Sequence, residues 1–501
     1  MITIDFAEAS GLGAVEREKL QKLQEIFTAH VTANFEKNRY YEGKISLNEV
    51  NIGIALPDGI RKLEIGCAWG AKTVDVLAGL SQFDGFVGEN GVEVPELQEI
   101  VAKNRLISEY MKACRDELKF GCTFATLSAA GKKGCRIRFH SPQTAAALWD
   151  GQKGRIDCGF AIIDSKHDIL RMEEIPVLVN FYTDDAIWVL RRNSDADTWK
   201  AERYKNKMGR PLMEPLVWNA TSKKPLGRSR IKEPIRRLIQ GYVRTIANAT
   251  IGLEFATSPQ KYLLGVTDEQ YDMLISQKFK QYVGSIIAST NNPETGQKPE
   301  FGQLPQGSIA PHVEMIRVLA TQFSAATGLT VTDTGVVNDA NPTSSEAILA
   351  QSRTLTGMAE QLNAGNGDAL REIALMAIAI TNNTTLEALT EEQKSVVAHF
   401  KNPAMPSISV TADAAVKIAG SDPDFAQTDV FYEMLGFDQA DIRRIKAQKT
   451  RARGLRVLDE IENEDTGEDV ENLSGETEPD RQNGDQKDDR LYEQGAGGTA
   501  E

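Results

Sequence analysis

The sequence predicts an α+β fold, and three features of its 501 residues carry that prediction. Helical periodicity dominates up to about Phe120, and period-two alternation replaces it between Cys122 and Trp218. Two long amphipathic helices then bracket a compact mixed insert between Ser229 and Gly328. The first of these helices, from about Ser229 to Glu254, should reach about 40 Å at roughly 1.5 Å per residue. Each has an apolar stripe too narrow for burial all round, so each must pack on one side and face water on the other. Copies set side by side in a ring satisfy both demands.

In chain order, residues 14–40 read as a charged amphipathic helix ending in Asn38-Arg39-Tyr40-Tyr41-Glu42-Gly43. The runs Cys135 to Phe139, Gly159 to Ile163, Val177 to Tyr182 and Ala186 to Leu190 are separated by polar turns, which predicts antiparallel sheet. The first long helix places Ile231, Ile235, Leu238, Ile239, Tyr242, Ile246 and Leu253 on one face. Its other face carries Glu233, Arg236, Arg237, Gln240, Arg244 and Asn248. In the insert, Lys261 to Val266 is a strand, and Thr267-x-x-Gln270 is a capping box opening a helix to about Val283. Ser285 to Ser289 is a second strand, and Asn291 to Gly307 is a Pro/Gly-rich loop. Ser308 caps the second long helix, Pro311 is tolerated in its first turn, and Val313, Ile316, Ala320 and Phe323 form its stripe. Gly328 ends it.

The loop Leu329 to Pro342 comes next, and the capping box Thr343-x-x-Glu346 starts a third helix. Gly357 lowers that helix's local stability by about 1 kcal/mol relative to Ala, which predicts a kink there. Asp368 to Ile380 is apolar on most sides and should be a separate buried helix, with a strand at Ser407 to Thr411. Helices are expected from about Asp424 to Leu435 and from about Gln439 to Leu458. Beyond Asp459 the Glu/Asp/Gly/Asn/Gln composition cannot offset ordering entropy, so disorder is expected.

The length allows two to four domains at about 150 residues each. From Asp459 onward there are 16 acidic and 3 basic residues, a net −13, which leaves −1 for the rest of a chain that totals −14. A near-neutral body cannot make the many uncompensated phosphate contacts of tight nucleic-acid binding, yet it can let DNA slide past. Cys67, Cys114, Cys122, Cys135 and Cys158 form no Cys-x-x-Cys pair, which argues against zinc and against a disulfide scaffold. His30, His140, His167, His312 and His399 are too dispersed to suggest a metal cluster, and no cofactor is expected. No apolar run approaches a membrane span, and Asp5 and Glu8 break any signal-peptide pattern, so the expectation is a soluble chain made in a reducing cytosol.

Two motifs suggest nucleotide chemistry. Leu63-Glu64-Ile65-Gly66-Cys67-Ala68-Trp69-Gly70 resembles the first motif of S-adenosylmethionine-dependent methyltransferases, with Ala68 where the middle glycine belongs. Asp84 has about the spacing of the acidic partner, but Leu80 to Asn90 reads as a poor strand. Gly66, Lys72 and Thr73 also approximate a phosphate-binding loop, with Ala71 in place of the glycine that bends amides around phosphate. Paired acids such as Glu173-Glu174 and Asp184-Asp185 read as solvated surface. Of two basic clusters, the one from Arg443 to Arg456 reads as a solvated face. The one from Lys223 to Arg237 suits phosphate contact and intersubunit salt bridges equally, with Arg230, Arg236, Arg237 and Arg244 the candidates along the helix.

Over roughly residues 20–460 the order of fragments resembles the portal proteins, the head-to-tail connectors of tailed double-stranded DNA bacteriophages. The fragments are Asn38-Arg39-Tyr40-Tyr41-Glu42-Gly43, Val74-Asp75-Val76-Leu77-Ala78 with Asp84-Gly85-Phe86, and Ser141-Pro142 ahead of Leu148-Trp149-Asp150. Gly227-Arg228-Ser229-Arg230-Ile231, Ser258-Pro259-Gln260-Lys261-Tyr262-Leu263-Leu264-Gly265 and Asn341-Pro342-Thr343-Ser344-Ser345-Glu346-Ala347-Ile348 complete the series. Cys67 and Trp69 depart from what such a chain should carry.

The resemblance implies a portal-type subunit in a ring of about twelve copies at one capsid vertex. It implies a wing over residues 1–228, stem helices over 229–258 and 308–328, and a small α/β clip over 259–307. A tunnel loop would span 329–342, a kinked helix returning to the wing 343–411, a helical crown 412–458 and an acidic tail 459–501. Thr332, Asp333, Thr334, Asn338, Asp339 and Asn341 of the loop would line the DNA channel. Implied partners are double-stranded DNA, a terminase motor, a head-tail adaptor, the major capsid protein and a scaffolding protein, in the virion and, during assembly, in the host cytoplasm. The implied role is non-enzymatic; the alternatives are the methyltransferase and a virion ring that never touches DNA.

Overall fold

The computed structural model describes residues 2, 4–6, 9–46, 64–88, 94–131, 134–168, 173–195, 197–257, 261–265, 267–269, 296, 298, 300–303, 308–336, 345–404, 408–437 and 439–465. The chain divides into two compact units, Met1–Asp438 and Gln439–Glu501. The second is represented by one helix, Gln439–Asp465, so helical structure continues past Asp459, where the composition predicts disorder to begin. Residues 466–501 lie outside the described residues.

The first unit opens with α1, Ala14–Tyr41, whose Leu20, Leu23 and Phe27 are buried. Just beyond it Lys44–Ser46 (β1) pairs antiparallel with Glu64–Gly66 (β2). The buried α1 residues join Phe6, Phe160, Phe181 and Trp199 in one apolar cluster on a five-stranded sheet. That sheet is a meander of β6 (Ala145–Asp150), β7 (Arg155–Asp168), β8 (Glu173–Tyr182), β9 (Ala186–Arg191) and β10 (Lys200–Lys205), with β6 and β10 at its edges. A second sheet sets β4 (Cys122–Ala129) between β5 (Cys135–His140) and β11 (Met213–Val217). In β5, buried Cys135 and Ile137 alternate with Arg136 and Arg138, the period-two pattern of a sheet with one wet face.

The larger core lies between this second sheet and four helices: α2 (Trp69–Leu80), α3 (Pro95–Asn104), α4 (Leu106–Phe120) and a 37-residue helix, Ser345–Thr381. That long helix runs without interruption through Gly357 and absorbs the separate helix expected from Asp368. Every residue from Ile373 to Ala379 is buried, which explains the all-round apolar pattern there.

Three short segments differ from expectation. Phe83–Val87 (β3), too short and mixed to read as a strand, is one because Val397–Phe400 pairs with it antiparallel. Ser407 to Thr411 reads as a strand, but Ile408–Ser421 is a helix: its β-branched start is overridden by the Ala-rich turns after it. Glu300–Gln303, within the Pro/Gly-rich stretch that reads as a loop, pairs antiparallel with Lys261–Leu264. The insert helix after Thr267 and the strand at Ser285 to Ser289 fall mostly or wholly outside the described residues.

The larger core also holds a buried polar chain. Asn366, on the 37-residue helix, donates to Glu117 Oε2 at 2.8 Å and to the Tyr110 hydroxyl at 3.0 Å. The Tyr110 hydroxyl lies 2.6 Å from Ser81 Oγ, which donates to Asn363 Oδ1 at 2.6 Å. Glu117 is fully buried and its Oε1 has no hydrogen-bond partner among the described residues, so burial pushes its carboxyl up to about 8 from 4.5. The folded state therefore keeps a proton that the unfolded chain has already released, and between those two values stability must fall as pH rises. Glu117→Gln, which keeps the shape and the Asn366 contact, should flatten that decline in urea melts run from about pH 5 to pH 8. A slope identical to the parent's would show that Glu117 is not the group responsible.

Candidate functional site

The two long helices are α5, Glu233–Thr257, and α6, Ala310–Thr327. The first begins at Glu233 rather than Ser229, with Pro234 in its first turn, where a missing N–H costs nothing. Its buried residues Ile235, Ile239, Val243 and Ala247 recur every fourth position, while Leu253 is exposed. Leu319, Ala320 and Phe323 are the buried apolar residues of α6. Gly241 brings the pair close: a Cβ there would lie 3.2 Å from Leu319 Cδ2. Val313, which the periodicity assigns to the buried stripe, is instead 45% exposed, alongside Met315 at 44% and Val318 at 49%. Ser308 Oγ accepts the Ala310 N–H at 3.2 Å, and Gly328 closes the helix at φ 76°.

Both helices lock onto Trp69. Its ring centroid lies 4.5 Å from that of Tyr242 on α5 and 4.7 Å from that of Phe323 on α6. Its indole N–H donates to the Thr334 carbonyl at 3.1 Å. Gly70 beside it packs against the end of α1, where a Cβ would fall 1.9 Å from the Tyr40 carbonyl oxygen. The Leu63 to Gly70 motif thus does architectural work. β2 pairs antiparallel with β1, and among the described residues every named strand pair is antiparallel, unlike the parallel sheet of a dinucleotide- or methyl-donor-binding fold. Thr73, of the near-miss phosphate loop, is buried and donates to the Trp69 carbonyl at 2.9 Å.

Arg230 requires a correction. The basic cluster marks it for phosphate or a neighbouring subunit, but it is 7% exposed and lies before the helix. Its Nε donates to the Thr73 carbonyl at 2.6 Å and its Nη2 to the Thr327 carbonyl at 2.7 Å. The second acceptor is at the C-terminal end of α6, where cations are favoured. Burial lowers its pKa to about 10, which still leaves it charged at neutral pH. Arg236 pairs with Glu36 at 2.5 Å, and exposed Arg237 with Glu233 at 3.1 Å. Arg244 is half-buried and has no ion-pair partner among the described residues.

Of the loop residues, Thr332, Asp333 and Thr334 form one 3-10 turn. Thr332 is exposed. Asp333 Oδ2 accepts from the Thr330 N–H at 2.9 Å and its hydroxyl at 2.8 Å, and Thr334 Oγ1 donates to the Val331 carbonyl at 2.5 Å. These polar groups hold the loop's root in shape. Asn338, Asp339 and Asn341 lie outside the described residues. Nothing in the periodicity marks Trp69 or Arg230 as anchors, because neither sits in a periodic stripe; the one signal is Trp69's oddity within a glycine-rich turn.

All five cysteines are free and buried. Burial pushes the Cys67 thiol up to about 11 and those of Cys122, Cys135 and Cys158 to about 12, away from nucleophilic or ligand chemistry. Among the described residues no group of His, Cys, Asp and Glu could hold a metal, and no helix is long and apolar enough to cross a membrane. Trp69→Ala should cost about 3–5 kcal/mol in a chemical melt, whereas Trp69→Phe, which keeps a ring between the helices, should cost less. Equal losses for the two variants would mean that the ring stack is not what holds the helices.

A family model described as "Phage portal protein, SPP1 Gp6-like" matches residues 20–454. No curated protein matches the chain. Among solved structures the chain is similar to one in the virion of a native gene transfer agent (GTA) particle, at 12% identity and TM-score 0.43, covering 74% of this chain and 89% of that one. It is also similar to chains in the neck of the native GTA particle computed with C12 symmetry (11%, TM-score 0.41, 74% and 89% covered) and of the empty particle computed with C6 symmetry (10%, 0.41, 74% and 90%).

Proposed function

The chain belongs to the SPP1 Gp6-like family of phage portal proteins, and on that premise we propose that about twelve copies form a ring around an axial channel for double-stranded DNA. The observation that carries this reading is the one-sided helix pair. α5 and α6 bury one face against the body through Trp69, while Val313, Met315 and Val318 of α6 leave large apolar side chains in water. Exposed apolar side chains on both flanks of a half-buried helix suit contact with neighbouring copies, which a closed ring supplies to every subunit.

In this reading residues 229–258 and 308–328 are the stem, 259–307 the clip, 329–342 the tunnel loop and 412–458 the crown, with residues 1–228 and 343–411 a wing facing the capsid. Thr332, Asn338, Asp339 and Asn341 offer the strand weak polar contacts, which suit passage better than tight phosphate binding does. Asp333 and Thr334 brace the loop's root from within. Arg237, exposed, and Arg244, without an ion-pair partner among the described residues, are two stem cations placed to meet a neighbouring copy or phosphate. The subunit is a structural conduit at one capsid vertex. A separate terminase motor supplies the work of packaging, and an adaptor docks once the head is full. The antiparallel pairing around Glu64–Gly66 removes the structural support for methyl transfer. A virion ring that never meets DNA differs from a portal in its bore.

Electron microscopy of the purified chain should show rings with a central hole wide enough for one duplex; a ring with no such hole would favour the non-contacting virion part. The triple change Val313→Ser, Met315→Ser, Val318→Ser should abolish rings while leaving the far-ultraviolet circular dichroism unchanged, since none of the three is buried. Intact rings from that variant would place the subunit contact elsewhere. Asp339→Lys should strengthen DNA retention and slow packaging, and packaging at the parental rate would remove this residue from the channel.

A further inference from the structure

A cleft of about 560 Å3 opens between the second half of α1, strands β4 and β6, and the segment from Lys224 to Arg236 that leads into α5. Its volume lies within the range of roughly 300–1,000 Å3 typical of ligand sites. Its inner wall is apolar, with Phe27, Phe120, Phe124, Ala146 and Leu226. Its rim carries Lys37, Lys224, Arg228, Lys232 and Arg236.

The rim is poorly neutralised. Among the described residues, half-buried Lys37 donates only to neutral groups, Asn34 Oδ1 and the Phe120 carbonyl, both at 3.2 Å. Lys224, Arg228 and Lys232 have no carboxylate partner among the described residues. Arg236 meets Glu36, yet its buried Nε has no hydrogen-bond partner among the described residues. Glu233, an acid in the lining, is held 3.1 Å from Arg237. Burial is the main reason that the Lys37 ammonium and the His30 imidazole are both lowered, and neighbouring cations add to it, Arg236 and Lys224 at Lys37 and Lys37 and Lys224 at His30.

Unmatched cations around an apolar wall select an amphipathic anion. A small inorganic anion would leave the wall bare, and a DNA duplex presents its phosphates on a convex rod that cannot enter a cleft of this size. Carboxylates spaced along a chain can meet several separate cations while an apolar side chain between them fills the interior. We propose that this cleft is a docking site for an acidic peptide segment of a partner protein, anchored by one large apolar side chain between carboxylates.

The test is fluorescence anisotropy of a labelled peptide with one central leucine flanked by glutamates and aspartates, titrated with the full chain. Binding should weaken with added salt, and it should fall roughly tenfold in the double variant Lys224→Gln, Arg228→Gln, whose side chains stand at the rim outside the core. Replacing the peptide's leucine by serine should weaken it comparably. Absence of binding at millimolar peptide, or binding indifferent to the double variant, overturns the proposal. So does a short DNA duplex that displaces the peptide and loses affinity in the same variant, since the cations would then be serving phosphate.

Discussion

The placement of the two long helices depends on one buried contact, Trp69 between α5 and α6. Two helices that each bury only one stripe have little to fix their mutual rotation, because one ridge-and-groove register resembles the next. An indole set against a ring from each helix removes that ambiguity, and its N–H also fixes the Thr334 carbonyl beyond the end of α6. Arg230 performs the same service in polar terms, joining α2 to the last turn of α6 through two carbonyls. A buried guanidinium with several good acceptors is tolerable, and its fork fixes direction as a lysine would not. The pair orders the helices while leaving their other faces free.

This arrangement explains how a cofactor-like sequence came to stand in a fold of another topology. A glycine-rich turn at the start of a helix serves whenever backbone must approach closely. In a nucleotide fold the neighbour is phosphate; here it is the Tyr40 carbonyl, which crowds Gly70. The local chemistry is shared and the topology separates the two. The neighbouring strands run antiparallel, so no crevice forms at their carboxyl ends.

Much of the fold was legible because periodicity reports burial directly. α1, the antiparallel strands β5, β7, β8 and β9, α5, α6 and the helix from Gln439 all lie close to where their patterns put them. What escaped was set by distant partners or by neighbours in sequence. β3 exists because Val397–Phe400 completes it, and Ile408 to Thr411 is helical because the Ala-rich turns beyond it carry the segment along. The site was less legible than the fold. A sequence marks Arg230 as a cation on a basic helix start, but only the position of the Thr73 and Thr327 carbonyls turns it inward. Similarly, Val313 has helical spacing from Ile316 and Ala320, yet the face it occupies is decided by where the body ends.

The 37-residue helix from Ser345 to Thr381 has a mechanical meaning. Its far third is gripped on every side, from Ile373 to Ala379, while its near end takes up the chain soon after the turn at Thr332–Thr334. At about 1.5 Å per residue it is a beam of roughly 55 Å, with buried residues from Leu355 through to Ala379. A sideways load at its N-terminal end is not dissipated in a hinge, because no loop interrupts the rod. It arrives at the clamp as torque on the sheet beneath, so the interior of the subunit feels what happens at its tip.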